Sequence, residues 1–152
     1  MQDEYFMLKA LEQAKLASSY DEVPVGAVIV KNDEIIAVGS NFKERENCAV
    51  FHAEVVAIIN ACKKLDNWYL DGCTMYVTLE PCPMCCGAII NSRIDRLVYG
   101  AQDIKSGGVT SLYNILNDGK LNHKVDIQGG VLESECSSIL TDFFKKKREE
   151  KK

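Results

Sequence analysis

The sequence predicts a layered α/β domain. Two observations carry that prediction. Stretches with helical periodicity alternate with short β-branched stretches in the order α-β-β-α-β-α-β-β-α, and such alternation builds a sheet covered by helices. The chain also has 152 residues, 47% of them hydrophobic and 26% charged, enough for one domain with a substantial core.

Each element follows from its own pattern. Met7, Ala10, Leu11, Ala14 and Ala17 recur at helical spacing and predict an amphipathic first helix. Residues 25–30 are rich in valine and isoleucine and read as a strand. Asn32-Asp33 is a turn signal, so residues 34–39 return as the second strand of a hairpin. Residues 53–64 are apolar nearly all round and predict a helix buried on most faces. Residues 74–79 read as a strand, residues 83–91 as a short helix opened by Pro83, and residues 96–99 as a strand ended by Gly100. Residues 125–128 suit a fifth strand. Residues 133–147 form a closing helix with Ile139, Leu140, Phe143 and Phe144 as its apolar stripe. Trp68 and Tyr69 read as packing residues.

No repeat, linker or internal boundary interrupts the chain. Its apolar runs fall far short of the ~18 residues of a membrane span. The first twenty residues carry Asp3, Glu4 and Glu12 and do not resemble an export signal. The chain is therefore expected to be soluble and cytoplasmic. Net charge is −4, unevenly placed. The last eight residues hold six bases and two acids, leaving 12 bases against 20 acids in the remaining 144. The reading is a single domain over residues 1–144 with a basic tail over 145–152, either solvated or touching a phosphate. An acidic body argues against broad, non-specific nucleic-acid binding.

The seven cysteines are odd in number. Without an export signal, metal or catalytic use is favoured over disulfides. Three of them lie in Pro81-Cys82-Pro83-Met84-Cys85-Cys86, thirty residues after His52-Ala53-Glu54. One histidine and two cysteines give three zinc ligands and leave a fourth position open, as a catalytic zinc requires. Cys82 and Cys85 share a helix face, and Pro83 puts Cys82 at the helix N-terminus, where N–H groups favour thiolate. Spacing alone equally permits Cys82 with Cys86. His52 and Glu54 can face one site only if His52 stands at its helix entrance. Zinc lowers the pKa of a coordinated water from about 15.7 toward ~7, and a carboxylate such as Glu54 can move that proton to a leaving amine.

H-x-E followed by P-C-x-x-C is the signature of zinc-dependent nucleobase and nucleoside deaminases. Along nearly its whole length the chain resembles the bacterial tRNA adenosine deaminases of that superfamily. The likeness runs through Glu22–Val28, the HAE and TLEPC segments, Arg93 to Gly107, Leu121-Asn122-His123 and Asp142-Phe143-Phe144. It implies a three-layer α/β/α sandwich around a five-stranded mixed sheet, a homodimer, one zinc ion per subunit, and conversion of the wobble adenosine of a tRNA anticodon loop to inosine. Carried over position by position, His52, Cys82 and Cys85 bind zinc and Glu54 shuttles the proton. Asn41 and the Ala53 backbone hold the base. Asp103, Lys105 and His123 contact RNA, and Phe144 stacks on a base unless it packs in its helix. The chain departs from the family at Cys48-Ala49-Val50-Phe51, where a small residue usually precedes the zinc histidine, and at Cys86 and Gln102. A guanine or cytosine deaminase acting on a free base is the alternative the motifs allow.

Overall fold

A computed structural model of the chain describes residues 2–151. Helix α1 (Gln2–Ser19) leads into the hairpin β1 (Gly26–Lys31) and β2 (Glu34–Ser40). Then follow α2 (Ala53–Leu65), β3 (Cys73–Leu79), α3 (Pro83–Asn91), β4 (Arg96–Ala101), β5 (Asp126–Gln128) and α4 (Glu133–Glu150). The five strands form one mixed sheet in the order β2-β1-β3-β4-β5. β1 is antiparallel to β2 and β3, whereas β3, β4 and β5 run parallel.

The hairpin turn is the one its residues demand. Asn32 and Asp33 both adopt positive φ, 52° and 64°, the left-handed pair whose twist matches the flanking strands. Along the central strands, side chains alternate between two cores. Ala27, Ile29, Met75, Val77, Leu97 and Tyr99 face α2 and α3. Val28, Val30, Tyr76 and Val98 face α1 and the start of α4. The result is the predicted three-layer sandwich. Each fully buried side chain of this kind contributes about 1.5–3 kcal/mol through the hydrophobic effect.

Four expectations need correction. Helix α2 is not buried on most faces: only Ala53, Glu54, Ala57, Ile58 and Ala61 are buried, while Ile59 is 37% exposed. Apolar composition does not say where neighbours lie. Trp68 and Tyr69 do not pack into the core but stack on each other at the surface, centroids 3.7 Å apart. The apolar stripe of α4 stops short, because Phe144 is 45% exposed. The basic run is not a tail beyond the helix. It forms the last turns of α4, with Lys147 paired to Asp21 and Glu150. Ahead of the apolar stripe of α1, Asp3 is held from outside the helix: the Arg96 guanidinium donates to both carboxylate oxygens at 2.9 and 2.8 Å, and Tyr76 Oη donates at 2.8 Å.

Candidate active site

The ends of the parallel strands β3 and β4 open into a cleft. Leu79 runs into Glu80-Pro81-Cys82, and Ala101 into the loop 102–111. Two helices start there. Cys82 is the N-cap of α3 with Pro83 behind it, and His52 is the N-cap of α2. Both residues have extended backbone, and neither side chain caps its own helix, so imidazole and thiol are free to turn into the cleft.

The missing cap of α2 is supplied by the residue that follows β2. The Ala53 N–H donates to Asn41 Oδ1 at 2.8 Å, and Asn41 Nδ2 donates to the Val23 carbonyl at 3.0 Å. Gly39 lets this junction close. A Cβ there would overlap the Ala53 carbonyl and the Ala57 N–H, so the helix entrance sits directly on the strand.

His52 Nδ1 lies 3.6 Å from Cys82 Sγ and 3.6 Å from Cys85 Sγ, and the three ligating atoms lie within 4.8 Å of one another. Zinc with bonds of ~2.3 Å to sulfur and ~2.05 Å to nitrogen at a tetrahedral angle holds S and N about 3.5 Å apart. The cluster matches that spacing, and its donor set of one imidazole and two thiols suits zinc. The structure also settles which cysteines converge. Cys86 turns away, fully buried, its thiol directed at the Pro81 carbonyl.

Glu54 is 4% exposed beside this cluster. Burial pushes its carboxyl up to about 7. Cys82 is held down to about 4, first by hydrogen bonding from Cys85 and then by His52. The Cys85 thiol is pushed far up by the same bond and by burial. One thiol thus carries the negative charge of the pair.

The cleft over Glu54 has a volume of about 780 Å³, within the range that holds a small ligand. Asn41, Asp103, Lys105 and Phe144 line it, as the sequence anticipates. A second cavity of about 520 Å³ shares Asn41, Lys43, His52 and Phe144 with the first. His123 is not brought there. Its Nε2 lies 2.7 Å from the Ile94 carbonyl, before the start of β4 and thus at the opposite end of the sheet. Phe51 is half-buried and lines neither cavity.

Two buried acidic residues outside the motif positions also shape the cleft. Glu22, 2% exposed, accepts from the Glu44 and Arg45 N–H groups at 3.0 Å each and from Arg45 Nε at 3.2 Å. The Arg45 guanidinium lies over the rings of Phe42 and Tyr20. Glu80, 1% exposed, gathers donors from the loop 102–111. Burial pushes both carboxyls up, but the hydrogen bonds outweigh it and hold both below the usual glutamate value. A carboxylate directly after a buried strand, as Glu80 is, is the signal that a nest of donors must await it.

A sheet with two cysteines and a histidine at helix entrances, and a buried glutamate beside them, defines the cytidine deaminase-like class of α/β enzymes. The chain belongs to the MafB19-like deaminase family, whose sequence profile matches residues 1–148. It is 48% identical over 99% of its length to the tRNA-specific adenosine deaminase of Bacillus subtilis (strain 168), covering 94% of that protein. A solved tRNA:A34 deaminase, an A-to-I editor of the wobble position of transfer RNA, superposes with a TM-score of 0.86 at 43% identity, covering 90% of this chain and 99% of that one. A guanine deaminase from Nitrosomonas europaea superposes with a TM-score of 0.80 at 27% identity, covering 92% and 83%.

Proposed function

We propose that the chain is a zinc-dependent hydrolytic deaminase that converts the wobble adenosine of a tRNA anticodon loop to inosine, releasing ammonia. The observation that carries the reaction is a 4% exposed carboxylate, Glu54, set beside a three-ligand His52/Cys82/Cys85 corner. Near full-length likeness to tRNA-specific adenosine deaminases supports the substrate.

Zinc held by His52, Cys82 and Cys85 supplies Lewis acidity, which makes water a nucleophile near neutral pH. Glu54 takes a proton from the attacking water as its oxygen bonds to the ring carbon bearing the amine. The same carboxyl delivers that proton to the ring nitrogen beside that carbon and then carries the new hydroxyl's proton to the amine nitrogen as the carbon–nitrogen bond breaks, leaving a carbonyl and ammonia. Asn41 orients the base: its Oδ1 and one Nδ2 proton are committed to Ala53 and Val23, and the second Nδ2 proton remains for a purine acceptor. Asp103 and Lys105 meet the RNA backbone, and the exposed Phe144 ring stacks on a base. An anticodon loop offers its base unpaired, which reduces the work of extruding it.

We also propose a homodimer in the cytoplasm. The partly exposed apolar flank of α2 around Ile59, with Met84 38% exposed on the neighbouring α3, supports a partner on that face. Sedimentation at micromolar protein is expected to show a dimer; a monomer would refute it. Among the described residues, no helix is long and apolar enough to cross a membrane.

A free-base deaminase is the second reading, favoured by the likeness to the guanine deaminase. The test is ammonia release by the zinc-loaded protein over an anticodon stem-loop with adenosine at the wobble position, the same loop with cytidine there, guanine, cytosine, adenosine and cytidine. Release from the adenosine loop alone is expected. Release from a free base with the RNA untouched would replace the substrate and keep the chemistry.

A further inference from the structure

The loop 102–111 forms one wall of the cleft and carries Asp103 and Lys105, yet it contains no helix or strand. Something other than regular structure must hold it. Its backbone N–H groups converge on a single side chain. Glu80 Oε1 accepts from the Asp103 N–H at 3.1 Å and from the Ser111 hydroxyl. Glu80 Oε2 accepts from the N–H groups of Val109, Thr110 and Ser111 at 3.1, 2.8 and 2.9 Å.

The chain is shaped for this contact on both sides. Gly107 has no room for a Cβ, which would fall on the Glu80 carboxylate, so the loop wraps the acid at backbone distance. Glu80 also directly follows β3, two residues before Cys82, with its own N–H on the Ala101 carbonyl at 2.8 Å. The Gly108 N–H donates to the Pro81 carbonyl at 2.8 Å. Asp103 organises only the outer turn, accepting from Lys105 and Ser106 N–H groups at 3.2 and 3.1 Å.

We propose that Glu80 is a positioning residue for the substrate: its buried carboxylate hangs the loop 102–111 from the β3–α3 junction that bears Cys82 and so sets Lys105 and Asp103 at a defined place relative to the metal corner. Glu80 does not touch the RNA; it acts through the loop. The inference rests on the proposed tRNA substrate. A glutamine cannot replace it, because an amide has one acceptor oxygen, whereas backbone N–H groups donate to both carboxylate oxygens, so an NH2 group would face at least one of those donors.

The experiment compares wild type, Glu80→Gln, Lys105→Ala and the double variant on the adenosine stem-loop, across about 50–200 mM salt. Zinc content is measured in parallel. Glu80→Gln is expected to keep its zinc, to raise KM about tenfold with a smaller fall in kcat, and to flatten the salt dependence of log kcat/KM by about 0.7, one phosphate contact on a single strand. The Glu80 and Lys105 effects on KM are expected to be non-additive, since one acts through the other. Unchanged KM and salt slope, or strict additivity, would overturn the proposal and leave Glu80 a residue of the fold alone. If Glu80→Gln does not fold, Ser111→Ala removes one donor and keeps the buried charge. It is expected to raise KM about two- to threefold in the same non-additive way with Lys105→Ala, and no change overturns the proposal. Wild-type inactivity on the stem-loop is a separate outcome: it removes the tRNA reading, and this inference with it.

Discussion

The metal corner and the rim of the cleft are built by different means. At the corner, the proposed ligands His52 and Cys82 are N-caps of helices already docked on the sheet, and Cys85 lies on the first turn of one of them. At the rim, the loops 41–51 and 102–111 lack regular structure, and each is hung on one buried carboxylate, Glu22 or Glu80. The corner is local chemistry on rigid elements. The rim is order imposed by contacts that span 22 to 31 residues of chain. Rigid elements suit reacting atoms, which tolerate little displacement. Hung loops suit the proposed role of the rim, a surface that admits and releases a nucleic acid.

The sharpest way to break this division is to strike the corner without moving it. Glu54→Ala is expected to lower kcat by at least about 10³-fold, as loss of a proton shuttle does, while zinc stoichiometry stays at that of the wild type. Residual activity near wild type would place the shuttle elsewhere.

A smaller effect is expected where the corner is attached to the sheet. Gly39→Ala forces a methyl against the Ala53 carbonyl and the Ala57 N–H, both backbone atoms that cannot swing aside. Overpacking of this kind costs about 1–3 kcal/mol. Denaturant unfolding is expected to show that loss, and kcat to fall because the entrance of α2 carries both His52 and Glu54. A variant as stable as wild type would mean that the strand and helix can part without harm.

The rim is expected to respond in binding rather than in chemistry. Arg45→Ala removes the only cation against Glu22 among the described residues, and Glu22 keeps two backbone N–H partners. Stability is expected to fall by about 1–3 kcal/mol, the range for a buried charge that loses one of several partners. KM for the stem-loop is expected to rise more than kcat falls, because the loop 41–51 carries Lys43 on the cleft wall. An equal loss in kcat would erase the distinction between corner and rim.

The same distinction explains what the sequence disclosed. His52, Glu54 and Cys82 were legible because positions at a helix entrance are local facts. The Asn32-Asp33 turn and the alternating strands were legible for the same reason. The choice of Cys85 over Cys86 was not, since both follow Cys82 at helical spacing and only the packed direction of α3 separates them. The exposed flank of α2 was hidden because periodicity counts apolar residues and not their neighbours. The helical end of α4 was hidden because Lys147 is held by Asp21, 126 residues away. His123 was carried to the site by likeness, but its ring is tied to the Ile94 carbonyl. Glu22 and Glu80 stood inside the recognised segments, yet their partners lie on loops whose course no local pattern reveals.

Acid titration separates the two hung loops most finely. Asp3, Glu22 and Glu80 are all held below their usual values, 3.8 for the aspartate and 4.5 for the glutamates. Arg96 is the first cause for Asp3; for the glutamates hydrogen bonds overcome burial. A folded carboxyl with a lowered pKa binds its proton less readily than the unfolded chain does. Its stabilisation is therefore complete above the usual value and is lost as pH falls through the folded value. Unfolding free energy is expected to be flat with respect to these groups near neutrality and to drop once pH falls below about 4.5. Each such carboxyl contributes at most about 1.4 kcal/mol per pH unit to that slope. Glu80→Gln is expected to start less stable at pH 7 and to show a shallower acid limb, because one linked group is gone. Arg45→Ala is expected to keep a limb from Glu22, weakened but present, since two backbone donors remain. Equal acid limbs in wild type and Glu80→Gln would mean that the nest around Glu80 binds the protonated acid as well as the carboxylate, and that the loop is not hung on its charge.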